Sequence, residues 1–344
     1  MMATEINILG IETSCDETAA AVVTDGRIVK SSVVASQHDL HDRYGGVVPE
    51  IASRAHIERI YPVLAKTMND AALRPEDLAA IAVANRPGLT VALMVGVTAA
   101  KTLAMVWDKP LIAVNHVHAH LQAALLSQPE PLLPAVALIV SGGHSNLYAC
   151  RSAVDLRLLG RTMDDAAGEA FDKVASILNL PYPGGPSIEK AARSGNPKAI
   201  DFPRSLLGPD SLDFSFSGLK TAVLYHCRGQ DMKGESRVSS MSPQEIADIA
   251  ASFQAAVVEV LVTKTMRAAD RIGARTVVLG GGVAANTALR EAMQKACNES
   301  GLILLVAPKP LCTDNAVMVA SLAYPLFQAG RFADLSLEPA SSAE

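Results

Sequence analysis

Three of the eight histidines in the chain fall within six residues, Asn115-His116-Val117-His118-Ala119-His120. On a helix of ~3.6 residues per turn, His116 and His120 stack on one face about 40° apart, and His118 points away. Two imidazoles one turn apart can bind one divalent metal, as in the zinc motif in which a single helix supplies both ligands. The glutamate of that motif is absent, because Val117 follows His116. A helix start that carries structural histidines is the alternative.

Asp314 is the candidate for a third metal ligand. It lies between a predicted strand and an apolar helix, in the segment Cys312-Thr313-Asp314-Asn315. Two histidines and one carboxylate leave positions open for substrate and suit a borderline metal such as iron, zinc or manganese. Most aspartates before a helix are N-caps, so a capping role for Thr313 or Asp314 is the alternative.

Three glycine-containing turns each follow a predicted strand, at residues 10–14, 140–144 and 279–286. Such turns expose backbone N–H groups and let a phosphate approach closely. Ligands of open α/β sheets bind at the carboxyl ends of the strands, where these turns lie. None of the turns matches the P-loop pattern, which disfavours ordinary P-loop chemistry. Tight corners without a ligand are the alternative.

Two further segments are candidates for ligand contact. Residues 164–173 place many charges at a helix start, where the helix dipole alone favours carboxylates, but Asp172 could also accept hydrogen bonds from ligand hydroxyls. Residues 182–187 form a turn rich in Pro and Gly, where the backbone could touch a ligand, or an ordinary loop.

Composition limits the class of protein. The 344 residues are 49% hydrophobic and only 4% aromatic, which favours helices packed on buried parallel strands. The five scattered cysteines contain no Cys-x-x-Cys pair, which is typical of reduced thiols in the cytoplasm. We find neither a signal peptide at the N-terminus nor an uninterrupted apolar run of ~20 residues. With a net charge of −5, binding to nucleic acid requires a local basic patch or a partner.

The same order of elements occurs twice along the chain. In each half, hairpin strands joined by a polar turn precede helix–strand units, which predicts two α/β domains of one design facing each other across a cleft. We expect domains at 1–122 and 135–312 joined by a connection at 123–134, an insertion at 197–242 with a short helix, and a C-terminal helix within 313–344 that packs back across the cleft. The predicted strands are 6–12, 19–23, 27–36, 79–84, 111–114, 135–140, 146–150, 156–161, 275–279 and 302–306, and the predicted helices are 48–69, 90–106, 165–178, 244–272, 284–297 and 313–328.

These segments together resemble the TsaD family, also called Gcp or YgjD, the tRNA N6-adenosine threonylcarbamoyltransferases. The resemblance covers about residues 6–328. Its motifs are residues 10–18, 46–56, 115–120, 140–144, 164–173, 182–186, 213–220, 280–286 and 313–315. It implies a tandem pair of actin/Hsp70/hexokinase-like (RNase H-like) domains. It also implies an acyltransferase that moves threonylcarbamoyl from threonylcarbamoyl-adenylate to N6 of the adenosine 3′ of the anticodon, in tRNAs reading codons that begin with A.

The resemblance assigns residues as well. His116, His120 and Asp314 would bind one divalent metal, Fe²⁺ or Zn²⁺. An adenylate-type ligand (threonylcarbamoyl-AMP, ATP or ADP) would be held by Ile139, Val140, Ser141, Gly142, Gly143, Asp172, Gly185, Glu189 and Asn286. Many relatives carry Asp at the position of Glu189.

The resemblance also implies partners and a location. A TsaB-like paralogue and a TsaE-like ATPase would be partners in a bacterium, and tRNA would be the substrate. The protein would be cytoplasmic and would not contact a membrane.

One segment departs from the family pattern. The family usually has Gly-Pro-Gly-Leu, whereas this chain has Asn85-Arg86-Pro87-Gly88-Leu89. Arg86 could change a partner contact or supply a cation near tRNA. The basic residues considered for tRNA contact are Arg43, Arg54, Arg86 and Lys220.

Other functions remain open at this stage. A sugar kinase or Hsp70-like ATPase would share the fold, although such enzymes use a carboxylate and magnesium without a histidine pair. A metalloprotease would need the missing glutamate as its general base. A non-catalytic scaffold of a tRNA-modifying complex would not need the metal ligands. No residue stands out as a general base, and His144 is a candidate on position alone.

Overall fold

The computed structural model describes residues 5–41, 44, 46–126, 132–152, 154–205, 207–208, 210–229 and 236–342. The chain forms two compact units. The first comprises Met1–Pro129 together with Ala307–Glu344, and the second comprises Glu130–Val306.

The first unit contains a five-stranded sheet in the order β3-β2-β1-β4-β5. Strands β1 and β2 are buried along their whole length, as expected for strands covered on both faces. β2 runs antiparallel to both β1 and β3, whereas β1, β4 and β5 are parallel. The strands are β1 (Asn7–Glu12), β2 (Glu17–Thr24), β3 (Ile28–Ser36), β4 (Ala80–Arg86) and β5 (Leu111–Asn115).

Helices from both ends of the chain cover this sheet. They are α1 (His38–His41), α2 (Pro49–Ala71), α3 (Thr90–Val106), α4 (His116–Leu125) and, last in the chain, α10 (Ala316–Gln328). α10 packs on β1 at Gly10, where an added Cβ would lie 2.6 Å from the carbonyl oxygen of Ala316. The absence of a side chain at Gly10 therefore brings the C-terminal helix and the residues before it onto the first sheet.

The second unit repeats the arrangement with the sheet order β10-β9-β6-β7-β8. β7 is antiparallel to β6 and β8, and β6, β9 and β10 are parallel. Each sheet therefore contains a three-stranded antiparallel meander followed by two parallel strands. This repetition confirms the predicted α/β fold of two similar domains. The strands are β6 (Ala135–Val140), β7 (Ser145–Ser152), β8 (Asp155–Gly160), β9 (Thr276–Gly280) and β10 (Ile303–Val306).

The helices of the second unit are α5 (Ala167–Ile177), α6 (Gly184–Ala192), α7 (Ser217–Arg228), α8 (Pro243–Ile272) and α9 (Thr287–Glu299). Among the described residues, α8 alone is long and apolar enough to cross a membrane, but 61% of its most apolar window is buried inside the protein. A buried core helix passes the same test, so α8 is weak evidence for a membrane span.

Some elements differ from the expectation. Residues 184–187, expected as a turn or loop, begin α6. Residues 307–344 group with the first unit. The predicted domain limits, including the insertion at 197–242 and the packing of residues 313–344, remain predictions. The expected connection at 123–134 lies partly outside the described residues.

Candidate metal centre and nucleotide-binding residues

The histidine pair lies on the first turns of α4, directly after β5. The side chain of Asn115 caps this helix and accepts hydrogen bonds from the backbone N–H groups of Val117 and His118. The capped start fixes the helical spacing of His116 and His120, whose ring centroids are 4.8 Å apart and nearly perpendicular. Both residues are buried, so water competes little for their ring nitrogens.

Asp314 faces this pair. One oxygen, Oδ1, lies 3.2 Å from Nε2 of His120 and 3.5 Å from Nε2 of His116. The N-cap of α10 is Asn315, whose side chain accepts from the backbone N–H of Met318. The alternative in which Asp314 serves as the cap is therefore not what the structure shows. His116, His120 and Asp314 offer ligand atoms within 4.8 Å of one another.

Glu12 and Ser14, in the first glycine-containing turn, contact the other nitrogen of His116. Oε2 of Glu12 lies 2.8 Å from Nδ1, and Oγ of Ser14 lies 3.1 Å from the same atom. Ser14 also donates its backbone N–H to Oε1 of Glu12 at 2.6 Å. Burial favours the neutral imidazole, but the carboxylates of Glu12 and Asp314 outweigh it and raise the pKa of His116 to about 9. The site therefore attracts positive charge.

The local sequence pattern does not predict Glu12 or Ser14 at the metal centre. Residues 10–14 are expected to form a turn that could bind phosphate, whereas Thr13 and Ser14 are buried and their groups are engaged within the first unit. A signal was present, because a carboxylate at the carboxyl end of a buried strand needs a partner. The zinc-binding helix motif carries a glutamate that this helix lacks, and here a glutamate from strand β1, Glu12, lies beside His116 instead. Glu12 contacts the imidazole and does not replace the general base of that motif.

His118 stands apart from the pair, as predicted. It is partly buried, and burial lowers its pKa to about 4. It is therefore neutral at physiological pH. It belongs to neither of the two His/carboxylate groups found among the described residues.

In the second unit, the turn that follows β6 contacts the start of α5. Backbone N–H groups of Gly168 and Glu169 donate to the carbonyl oxygens of Ser141 and Gly142 at 3.2 and 3.0 Å. Gly142 and Gly143 are exposed, and a Cβ added to either would meet no atom within 4 Å. Ile139 and Val140, which precede the turn, are buried in β6. The turn thus leaves space where a ligand can approach the backbone.

α6 links the remaining nucleotide-binding candidates. Oδ1 of Asp172 accepts from the backbone N–H of Gly184 at 2.7 Å, next to Gly185. Oε1 of Glu189 accepts from the backbone N–H of Thr287 at 3.2 Å, next to Asn286. The nucleotide-binding candidates Asp172, Gly185, Glu189 and Asn286 therefore lie on α5, α6 and the start of α9, which are joined by these hydrogen bonds. Each side chain also has a local structural contact.

Asn286 caps α9 and is buried. Its amide oxygen accepts from the backbone N–H of Leu289, and its amide nitrogen donates to Oε1 of Gln254 at 2.8 Å. Gly281, in the turn that leads to Asn286, has φ +88° and packs against Val140. Only glycine tolerates this φ and so close an approach to another residue. Glycine at this position thus joins the third glycine turn to the strand that carries the second.

The candidates for a general base and for tRNA contact lie on elements of both units. His144 lies with Nδ1 3.4 Å from Oγ of Ser141. Arg54 is exposed on α2 and Arg86 is half-buried at the end of β4, whereas Lys220 forms an ion pair with Asp165 at 3.2 Å. Arg43 lies outside the described residues.

Comparison with known proteins gives consistent results. A family model described as tRNA N6-adenosine threonylcarbamoyltransferase matches residues 28–321. A relative of that name from Moorella thermoacetica is 53% identical over 341 residues, covering 98% of this chain and 96% of the relative. Another from Rhodopirellula baltica is 52% identical over 342 residues, covering 96% and 95%.

Solved structures agree with the fold. Component A of the (R)-2-hydroxyglutaryl-CoA dehydratase of Acidaminococcus fermentans superposes with a TM-score of 0.54 at 16% identity, covering 95% of this chain and 100% of that chain. HypF of T. kodakarensis gives 0.61 at 14% identity, covering 96% and 50%. At these identities the solved structures support the fold alone, and the activity follows from the more similar relatives. The chain belongs to the tRNA N6-adenosine threonylcarbamoyltransferase family.

Proposed function

We propose that this member of the family carries out threonylcarbamoyl transfer with one divalent metal, iron or zinc, held by His116, His120 and Asp314. The observation that carries the proposal is the meeting of two buried histidines and one carboxylate within 4.8 Å. Neutral imidazoles and a carboxylate are ligands of borderline divalent metals. The Glu12–His116 contact adds to the fit, because metal-binding histidines commonly give their second nitrogen to a carboxylate.

When bound, the metal supplies Lewis-acid polarisation and a fixed point for the threonylcarbamoyl end of the donor. The chain's own residues prepare that site. Glu12 and Ser14 hold the ring of His116 so that Nε2 faces Asp314. Burial of both histidines excludes water, which strengthens electrostatic interactions inside the site.

For the donor, we propose threonylcarbamoyl-adenylate, held by the second unit through Ile139, Val140, Ser141, Gly142, Gly143, Asp172, Gly185, Glu189 and Asn286. The exposed turn at Gly142 and Gly143 would present backbone N–H groups to the phosphate. Asp172 and Glu189 would accept hydrogen bonds from ribose hydroxyls in addition to their local contacts.

The reaction needs little covalent help from the protein, because the donor is a mixed anhydride. The N6 amine of adenosine attacks the carbamoyl carbon, the bond from that carbon to the phosphate oxygen breaks, AMP leaves, and the amine loses one proton to water or to the departing phosphate. Positioning of the two reactants and stabilisation of the developing oxyanion then account for the catalysis. The family match favours this transfer over the small-molecule kinase or ATPase that the sequence left open.

For the acceptor, we propose the adenosine 3′ of the anticodon in tRNAs reading codons that begin with A. The net charge of −5 opposes binding to a polyanion, so basic residues such as Arg54 and Arg86, or accessory subunits, must supply the attraction. We expect the transfer to tRNA to take place in the cytoplasm.

Partners of the TsaB and TsaE types are part of the proposal. The helices α2 and α3 expose apolar side chains at helical spacing, which suits a helical partner such as a TsaB-like paralogue. They are Ile57, Tyr61, Val91, Met94 and Met105, each more than 45% exposed.

The proposal is tested by incubating the full chain and its accessory subunits with threonylcarbamoyl-adenylate and tRNA, with and without a chelator. Mass analysis of the digested nucleosides should detect threonylcarbamoyladenosine only in the sample without chelator. ATP turnover without tRNA, and no modified nucleoside, would favour the kinase or ATPase instead.

A further inference from the structure

A second group of metal-binding side chains lies in the first unit. Asp16 and Glu17, at the start of β2, and His38, at the start of α1, offer ligand atoms within 4.8 Å of one another. Nε2 of His38 lies 3.2 Å from Oε1 of Glu17 and 3.6 Å from Oδ2 of Asp16. These residues are distinct from His116, His120 and Asp314.

The charges in this group are unbalanced. The side chains of Asp16 and Glu17 are only 11% and 7% exposed, and burial of a carboxylate is costly unless a positive charge compensates it. Among the described residues, no lysine or arginine forms an ion pair with either of them, and His38 is their common partner. A protonated His38 supplies one positive charge for two carboxylates.

A close pair of carboxylates retains a proton or binds a cation, because both cannot stay ionised without compensation. The carboxylates of Asp16 and Glu17 converge on Nε2 of His38, which lies 3.6 Å from Oδ2 of Asp16 and 3.2 Å from Oε1 of Glu17. A divalent ion bound among these three groups would supply the missing positive charge.

We propose that Asp16, Glu17 and His38 form a second cation site, which takes a borderline divalent ion such as Zn²⁺ or Mn²⁺. Two carboxylates and one imidazole match the preferences of these ions, and three protein ligands leave positions for water. The bound ion would offset buried negative charge next to the metal centre. This inference does not depend on the transfer activity.

The test is a Zn²⁺ titration of the full chain against a competing chelating indicator. The background is His116→Ala/His120→Ala, which removes two ligands of the first site. We expect this double variant to bind one equivalent of Zn²⁺. Adding His38→Ala should weaken that binding at least about tenfold, since one of three ligands is lost. Asp16→Asn in the same background should do the same.

The matched control adds His226→Ala, an exposed histidine of the second unit, and should leave the titration unchanged. Circular dichroism of every variant verifies folding, and His38, at 44% side-chain exposure, is replaceable without a core cavity. The proposal is overturned if the double variant binds no Zn²⁺, which would mean that Asp16 and Glu17 share a proton. The proposal is also overturned if the double variant still binds one equivalent of Zn²⁺ with unchanged affinity after His38→Ala is added.

Discussion

Oε2 of Glu12 lies 2.8 Å from Nδ1 of His116, although 104 residues separate them in the sequence. Glu12 ends β1, and His116 begins α4 directly after β5. Because β1, β4 and β5 are parallel, the ends of these strands meet at one edge of the sheet. The contact fixes the imidazole so that Nε2 faces Asp314. The carboxylate of Glu12 thus orients the imidazole of His116 toward the carboxylate of Asp314.

Glu12→Gln should weaken metal binding by about 10- to 100-fold, because the side chain keeps its shape but loses the charge that orients and polarises His116. Competition with a chelator of known affinity measures the change. Glu76→Gln, at an exposed glutamate of the same unit, is the control and should bind metal like the wild type. Equal affinities for Glu12→Gln and the wild type would remove Glu12 from the metal centre.

Gly142→Ala and Gly143→Ala should fold normally but bind an adenylate analogue at least about tenfold more weakly. An added Cβ at either position meets no protein atom within 4 Å, so the free energy of unfolding should change by less than about 0.5 kcal/mol. The methyl group would instead collide with a ligand phosphate at the backbone. Isothermal titration and urea unfolding give the two quantities.

Gly168→Ala is the contrasting variant for this turn. Its Cβ would lie 2.5 Å from the carbonyl oxygen of Ser141, so we expect loss of folding stability as well as of binding. If Gly142→Ala and Gly143→Ala bind the analogue like the wild type, the phosphate does not sit at this turn.

His56 should make the protein less stable in mild acid. Burial lowers its pKa below the ordinary 6.5, despite the opposing bond to the carbonyl oxygen of Cys15. The unfolded chain therefore binds the proton more readily, and the free energy of unfolding decreases as the pH falls below 6.5 toward the folded-state pKa. We expect the wild type to lose more stability than His56→Asn between about pH 7.5 and 5.5. Parallel losses in urea unfolding would show that His56 does not titrate in this range.

Lys264→Met should destabilise the protein by roughly 1–3 kcal/mol, because it leaves two partly buried carbonyl oxygens without their lysine donor. Lys264 is fully buried in α8, and its Nζ donates to the carbonyl oxygens of Ser211 and Asp213. Lys66→Met is the control, since the Lys66–Asp70 pair is exposed and contributes less than about 0.5 kcal/mol. Similar unfolding midpoints for the two variants would argue against this role.

The metal centre shows what the sequence could predict. The four-residue spacing of His116 and His120 is local, so helix geometry predicts their common face. The contribution of Glu12 depends on the pairing of distant strands, which no local pattern encodes. The sequence also does not identify the N-cap of α10. Thr313, Asp314 and Asn315 are all residue types that cap helices, and only the structure shows that Asn315 is the cap.

α6 was missed for a different reason. Its first residues, Gly184-Gly185-Pro186, have low intrinsic helix propensity and suggest a turn. Pro186 nevertheless lies in the first turn of the helix, where its missing N–H removes no internal hydrogen bond. The helix is then stabilised by packing, with Ile188 and Ala192 buried. Tertiary contacts therefore overrode the local signal.

The most direct test of the proposed metal-dependent transfer compares the wild type with His116→Ala/His120→Ala in single-turnover reactions with threonylcarbamoyl-adenylate, tRNA and the accessory subunits. Elemental analysis and chelator titration count the bound metal in the same samples, and loss of the His116–His120–Asp314 site should remove one equivalent relative to the wild type. We predict that the double variant loses this metal and forms no threonylcarbamoyladenosine, while its circular dichroism spectrum matches that of the wild type. Full single-turnover transfer by a variant without this metal would contradict the account.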